Sequence, residues 1–405
     1  MSGAATTQTR AEIVVDLAAI RHNVARLTAH TGVPVMAVVK ADGYGHGMVE
    51  SARAAREGGA AWLGVATLDE ALTVRNAGDA GPLLCWLLLP GDDLAAGITA
   101  GVDLTAYTVA ELDDLATAAA RAGRPARVQL KIDTGLSRGG ATMAQWPGVV
   151  ARARAGEEAG SWTITGIWSH FASSEVPDDP ANDAQEKLFR EALDLAAEAG
   201  LRPEVRHLAN SAAALLRPSA RFDLVRCGIA AYGLDPAPQL ADSPWPGLGL
   251  RPAMTVRAPL TLVKHVAAGA AVSYGGLWVA PGATTLGLVP VGYADGVPRQ
   301  AANRGAALVA GRRRPLRGAV CMDQFVVDLG GDEPPVGEPV LLLGPGDAGE
   351  PTAQDWAEVS GTISYDIVTR LGGRLVRRHV DTARDETAQD ETAQDIGQGE
   401  GSPWA

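Results

Sequence analysis

The sequence predicts an α/β protein: a (β/α)8 barrel over residues 10–240, a mainly β domain over 241–380 and a disordered acidic tail over 381–405. Short, nearly unbroken apolar runs alternate with amphipathic segments from about residue 33 to 230. After a stretch punctuated by Pro236, Pro238, Pro244, Pro246 and Pro252, the texture changes to short β-rich runs rich in glycine. The last residues are acidic and repetitive, a composition that cannot bury a core.

Ahead of the alternation, 10–15 is strand-like and stands outside the barrel pattern, free to pair with the second domain. Asp16 is placed to cap a helix whose buried stripe is Leu17, Ile20, Val24 and Leu27. The apolar runs are 33–39, 62–66, 83–88, 104–107, 127–132, 163–168, 204–208 and 223–226. Between them lie helical patterns such as Val109, Leu112, Leu115, Ala119, and 188–195 closed by Gly200. Strands this apolar fit a parallel sheet covered by helices. Eight units over this length fit a barrel, with an open doubly wound sheet as the alternative. The second domain offers strand-like runs at 254–266, 284–291, 306–310, 325–329 and 340–343, then helical patterns at 352–359 and 365–370.

Composition excludes several classes. No apolar run approaches the 18 residues of a membrane span, and the first ten residues lack the apolar centre of a signal peptide. Cys85, Cys227 and Cys321 are odd in number and far apart, which gives neither a metal-type spacing nor a disulfide framework and points to a reducing cytoplasm. Cys85 and Cys227 read as core residues. Of the net charge of −12, the tail holds seven carboxylates against one arginine, so the folded part is only mildly acidic. No basic stripe suggests nucleic acid. The tail is either a plain solvated extension or a recruiter of a partner.

The chemistry gathers where the barrel strands end. The first run feeds Lys40-Ala41-Asp42-Gly43-Tyr44-Gly45-His46-Gly47. A lysine at the rim of a dry core loses its proton more easily, and a neutral amine forms Schiff bases. The alternative is a lysine that snorkels to water. The fifth run ends in Lys131-Ile132-Asp133-Thr134-Gly135-Leu136-Ser137-Arg138, the sixth in Trp168-Ser169-His170, the seventh in His207-Leu208-Ala209-Asn210-Ser211 and the eighth in Arg226-Cys227-Gly228-Ile229. Ser211 at a helix start, with unencumbered N–H groups at Gly228 and Ile229, could hold a phosphate; Ser211 is equally an ordinary helix cap. Arg138 could grip a carboxylate bidentately or make a surface ion pair. Arg226 ends an apolar strand, where a guanidinium needs a partner. His170 alone reads as a core histidine bonded to backbone.

Taken together and in order, these motifs resemble the alanine racemase family, whose cofactor is pyridoxal 5′-phosphate. The resemblance runs on through Val272-Ser273-Tyr274-Gly275, Gly292-Tyr293-Ala294-Asp295-Gly296, Cys321-Met322-Asp323-Gln324 and Ser364-Tyr365, and spans roughly residues 10 to 380. It implies a barrel followed by a β domain, and a head-to-tail homodimer whose active sites draw on both subunits. It implies that Lys40 holds the cofactor as a Schiff base and that Tyr44, Ser211, Gly228, Ile229 and Tyr365 hold its phosphate, with Asn210 and His170 at the same site. Arg226 would face the pyridine nitrogen. Arg138 and the Met322 backbone would grip the substrate carboxylate, Tyr274 would be a second base, and Tyr293 would line the entrance. Lys131, carbamylated in many members, would steady Arg138, and Asp323 would support its neighbours. No metal is implied.

Inverting an α-carbon requires a proton to leave one face and another to arrive on the opposite face, so two bases are the direct solution. An unperturbed tyrosine has a pKa of about 10 and a lysine slightly above that, and both must come down to work as bases. Arg226 is the expected source of the positive charge that lowers them, with His170 carrying its influence to Tyr274. Because an arginine only donates, Arg226 should restrain charge delocalisation into the cofactor and suppress transamination. Alanine is the expected substrate. Serine adds only a hydroxyl, which an apolar pocket rejects on the order of a hundredfold, so minor serine activity is expected. The D-alanine would serve peptidoglycan precursors. A decarboxylase of the same fold type is disfavoured by the carboxylate grip of Arg138, and a non-catalytic cofactor carrier by the second domain bearing Tyr274.

Overall fold

Glu12–Asp16 alternates half-buried and buried side chains and forms strand β1. Its register is antiparallel to β10 (Met254–Pro259) and parallel to β19 (Val376–Val380), so the first strand joins the C-terminal sheet and not the barrel. A computed structural model describes residues 10–241 and 244–383. The described residues fall into two compact units, one over 21–251 and one combining the residues before 21 with those from 252 onward. Of the acidic tail only 381–383 are described, where Thr382 Oγ1 donates to Asp16 at 2.8 Å; the expected disorder otherwise lies outside the described residues. Among them no helix is long and apolar enough to cross a membrane.

Asp16 accepts the Ala18 N–H at 3.0 Å and opens the helix Leu17–Thr31. Ile20, Val24 and Leu27 are buried there, whereas Leu17 is only half-buried because it stands at the strand-to-helix corner. The barrel strands follow: β2 (Val35–Val38), β3 (Trp62–Val65), β4 (Leu83–Cys85), β5 (Asp103–Ala106), β6 (Ala126–Lys131), β7 (Trp162–Trp168), β8 (Val205–His207) and β9 (Val225–Cys227). They form one eight-stranded sheet in the order β8-β7-β6-β5-β4-β3-β2-β9, every neighbouring pair parallel. Single backbone bonds from Asp223 N to Arg206 O and from Arg226 N to Ala209 O bring β9 back to β8 and nearly close the ring.

Met36, Trp62, Leu84 and Leu224 pack inside it, with Trp86 and Val205 against them. Gly64 makes room for this filling, since a Cβ there would lie 2.8 Å from the Trp86 ring and 2.9 Å from Met36 Sδ. The outer helices start where Thr67 and Thr108 form capping boxes with Glu70 and Glu111. In the second of these helices Leu112, Leu115 and Ala119 are buried, while Val109 in the first turn is exposed.

The second unit is a nine-stranded sheet in the order β11-β14-β17-β16-β15-β18-β10-β1-β19, beside a two-stranded ribbon of β12 and β13. Its members are β11 (Leu262–Val266), β12 (Ala271–Val272), β13 (Trp278–Val279), β14 (Thr284–Val289), β15 (Ala306–Val309), β16 (Arg312–Arg317), β17 (Phe325–Gly330) and β18 (Pro339–Leu343). The run expected at 254–266 is two strands, separated at Leu260–Thr261 where the chain passes from one neighbour to another.

Candidate active site

β2 ends at Val38, and Lys40 opens a single helical turn, Lys40–Tyr44. That turn is left-handed. Ala41, Asp42 and Tyr44 have φ of 51°, 52° and 53°, alongside Gly43, Gly45 and Gly47. An L-residue in a left-handed helix costs roughly 1–2 kcal/mol, so the turn must be held from outside. It is. Gly43 N bonds Val39 O at 2.9 Å, Gly47 N bonds Asp42 O at 2.8 Å, and Met48 N bonds Asp42 Oδ1 at 2.9 Å. Ala41 N donates to Glu70 Oε1 at 2.7 Å. The Lys40 amine lies 5.6 Å from the centre of the Trp86 ring. Burial, and after it the Arg138 guanidinium, lowers its pKa from the ordinary lysine value, while Glu70 pulls upward.

Arg226 is buried at the end of β9, and its hydrogen-bond partners among the described residues are neutral. Nη2 donates to Ser169 O, Leu208 O and His170 Nδ1 at 2.8–3.0 Å, and Nη1 to His207 Nδ1 at 2.9 Å. Burial lowers its pKa without a carboxylate to offset the loss of solvation. Because a guanidinium can only donate, both histidines accept at Nδ1 and carry their proton on Nε2. Burial, then Arg226, holds both well below the ordinary histidine range. His207 passes its Nε2–H to Gln129 Oε1 at 2.8 Å, and Gln129 Nε2 reaches the buried Asp103 at 3.2 Å. Lys131 sits between the Tyr107 and Trp168 rings, 5.2 and 4.6 Å from their centres. Burial, then Arg226 and Arg138, brings its amine down to about 8. Arg138 is exposed, and among the described residues no carboxylate pairs with it.

The helix Ser211–Leu216 is capped by Asn210, whose Oδ1 accepts from Ala213 N and from Ser174 Oγ. Ser211 is therefore not the cap. Its Oγ accepts the Gly228 N–H at 3.0 Å, so that N–H, expected to be unencumbered, is occupied by the serine. Ile229 begins the short turn Ile229–Tyr232 directly after Gly228. The Tyr44 hydroxyl lies so close over Gly228 that a Cβ there would come within 2.3 Å of it. Tyr44, Ser211, Gly228 and Ile229 thus converge on one cradle, while burial pushes the Tyr44 hydroxyl pKa upward.

The other expected residues belong to the second unit. Tyr274 is 76% exposed on a turn where Ser273, Gly275 and Gly276 have φ of 65°, 71° and 57°. Ser273 Oγ bonds Ala319 O at 2.8 Å and lies 3.2 Å from Cys321 Sγ. Tyr293 N and Ala294 N bond the carbonyls of Cys321 and Met322, each at 3.0 Å, stitching those two loops together. Beneath them Asp295 accepts from Gly292 N and from Arg374, which also reaches Asp323. Tyr274, Tyr293, Met322 and Asp323 line one open cavity of about 690 Å³. Tyr365 is half-buried on the helix Ser364–Arg370.

Sequence reasoning missed Glu70, Trp86, Gln129, Asp103, Arg374 and the role of Ser273. Only Glu70 carried a local signal, the Thr67-x-x-Glu70 capping pattern.

The family model for the alanine racemase N-terminal domain matches residues 15–236, and that for the C-terminal domain matches residues 253–379. The chain is 54% identical to an alanine racemase of Salinispora arenicola over 375 residues, 93% of this chain and 99% of that protein. Among solved structures, the alanine racemase of Streptomyces coelicolor is 51% identical with a TM-score of 0.90, over 92% of this chain and 98% of that one. The alanine racemase of Bartonella henselae, solved with covalently bound pyridoxal phosphate, is 27% identical with a TM-score of 0.81, over 92% of this chain and all of that one. The chain belongs to the alanine racemase family of isomerases.

Proposed function

We propose that the chain interconverts L- and D-alanine with pyridoxal 5′-phosphate held on Lys40, and that Lys40 and Tyr274 act as the two bases. One observation carries the reading: a desolvated lysine amine shares a barrel rim with a buried guanidinium satisfied entirely by neutral acceptors. The residues fit the cofactor. The cradle of Tyr44, Ser211, Gly228 and Ile229, which a side chain at 228 would fill, suits its phosphate. Arg226 suits the ring nitrogen as a donor, and Asn210 and His170 frame the site. When bound, pyridoxal phosphate supplies the electron sink for charge left on Cα after proton loss.

The residues of this chain do the rest. Arg138, which pairs with no carboxylate among the described residues, binds the substrate carboxylate together with the Met322 backbone. Lys40, its amine favoured neutral by burial and Arg138, takes or returns the proton on one face. Tyr274 serves the other face, with the His170 Nε2–H available to stabilise its phenolate. His170 keeps that proton because Arg226 occupies its Nδ1. Tyr274, Tyr293 and Met322 are exposed together on one cavity wall, which supports a homodimer in which they complete a partner's site. Lys131, its amine brought down to about 8 by burial and the nearby Arg226 and Arg138, gives up its proton more readily than an ordinary lysine and so is suited to carbamylation, and the carboxylate so formed would steady Arg138. Asp323, through Arg374, steadies the Met322 loop. D-alanine made this way would feed peptidoglycan precursors.

The test is deuterium exchange at Cα in heavy water with each alanine enantiomer, followed by NMR. Exchange with both is expected; absence of exchange with either overturns the assignment.

A further inference from the structure

The turn behind Lys40 is left-handed through three residues that are not glycine, and one side chain from another element holds it. Glu70 is the third residue of the helix Leu68–Asn76 and closes the capping box with Thr67. The box needs a bond only to the N-cap N–H. Oε2 meets that need, accepting from Thr67 N at 3.2 Å and from Ala66 N at 2.8 Å. Oε1 is left over, and it accepts the Ala41 N–H at 2.7 Å, the shortest of the three. The carboxylate thereby ties the end of β3 to the peptide that follows Lys40.

We propose that Glu70 is the positioning residue of Lys40: one oxygen clamps the strained peptide after the lysine, and its charge opposes that of Arg138 at the amine. The proposal rests on Lys40 as the cofactor lysine. The charged groups bearing on the amine are Arg138 and Glu70. Trp86 covers it with a ring, and His170, on the neighbouring rim, is neutral. An anion favours the protonated amine, so loss of the Glu70 charge moves the lysine toward its neutral form at a given pH.

The test uses the full chain, stripped of cofactor, and competitive acetylation of Lys40 against the exposed Lys187, read by peptide mass spectrometry across pH. Glu70→Gln is expected to move the Lys40 labelling midpoint down by roughly half a pH unit. In the reloaded protein it should release cofactor several-fold faster. Thr67→Ala breaks the helix cap alone, so it should lower the melting temperature and leave the midpoint in place. Glu70→Asp keeps the charge and shortens the reach; it should hold the midpoint but weaken cofactor retention, and it serves if the glutamine variant does not fold. A wild-type midpoint and wild-type retention in Glu70→Gln overturn the proposal. So does a shift in Thr67→Ala as large as that of the glutamine variant, or full retention in Glu70→Asp. Absence of cofactor on Lys40 in borohydride-reduced wild type would instead overturn the lysine reading itself, a result separate from the midpoint.

Discussion

The turn bearing Lys40 and the turn bearing Tyr274 solve one backbone problem in opposite surroundings. Both put non-glycine residues into left-handed backbone, Ala41, Asp42 and Tyr44 in one and Ser273 in the other. Both are held by acceptors and donors from distant sequence, Glu70 for the first and Ala319 with Cys321 for the second. The Lys40 turn is enclosed: its amine is desolvated, an aromatic ring covers it and fixed charges tune it. The Tyr274 turn leaves its ring 76% exposed beside Met322 and Tyr293. Strained backbone at both places fits a functional demand for position, because strain of this size persists only where the surroundings over-determine it. The contrast in burial fits the proposal that Lys40 works within its own barrel and Tyr274 on a second surface.

Removing the two proposed bases tests that contrast most strongly. Lys40→Ala should lose racemisation by at least ~10³-fold and should abolish borohydride-trapped cofactor at that position. Tyr274→Phe should retain trapped cofactor and lose about 10²–10⁴-fold in racemisation, the usual worth of a positioned acid–base group. Its loss should be one-sided: Cα exchange persists with one enantiomer and collapses with the other. Equal loss with both enantiomers would break the comparison, since it would make Tyr274 structural.

The barrel was legible because several of its strands, such as Val35–Val38, Trp62–Val65 and Leu83–Cys85, are apolar on both faces, so each stands out as a run and sets the spacing of the rest. β16 and β19 were not legible. Their residues, such as Arg312, Arg313 and Arg314 or Arg377, Arg378 and His379, are polar and lack that signal; β16 is fixed by pairing with its chain neighbours β15 and β17, and β19 by pairing with the distant β1. The β12–β13 ribbon is too short to show a period. Among site residues, those carrying motif chemistry could be read in advance. Those that support them could not, because Glu70 to Ala41, Gln129 to His207 and Arg374 to Asp295 meet only after folding. The left-handed turn was hidden for a related reason: its glycines are visible, but Ala41 and Asp42 adopt the same backbone only under tertiary restraint.

Two glycine substitutions sharpen the comparison on a smaller scale. Gly228→Ala puts a methyl within 2.3 Å of the Tyr44 hydroxyl, in the enclosed region, and should cost about 1–3 kcal/mol, read as weaker cofactor retention. Gly318→Ala puts one 2.5 Å from Val272 O and 2.7 Å from Ser273 Cβ at a φ of 76°. A similar cost is expected there, but it should appear in the exchange assigned by the proposal to Tyr274, with cofactor retention unchanged. If Gly318→Ala instead releases cofactor, the two turns are not independent.

The smallest effect concerns the charge crowded onto the enclosed rim. Lys131 is buried, and its amine is held at about 8, below the ordinary value of 10.5. The native state therefore sheds this proton before the unfolded chain does. The stability penalty is full below pH 8, shrinks as pH rises from 8 to 10.5 and is absent above that. Lys131→Met should thus raise stability at pH 7 by about 1–2 kcal/mol, with the gain in melting temperature fading toward pH 10.5. Measurements in buffer free of carbon dioxide isolate this term. Adding bicarbonate then distinguishes the two states open to the residue: a carbamylated Lys131 becomes an anion among Arg226 and Arg138, so bicarbonate should stabilise wild type and leave Lys131→Met unaffected. A gain that persists undiminished at high pH would mean that packing between Tyr107 and Trp168, not charge, sets the effect, and the rim would then owe less to electrostatics than its contrast with the Tyr274 turn implies.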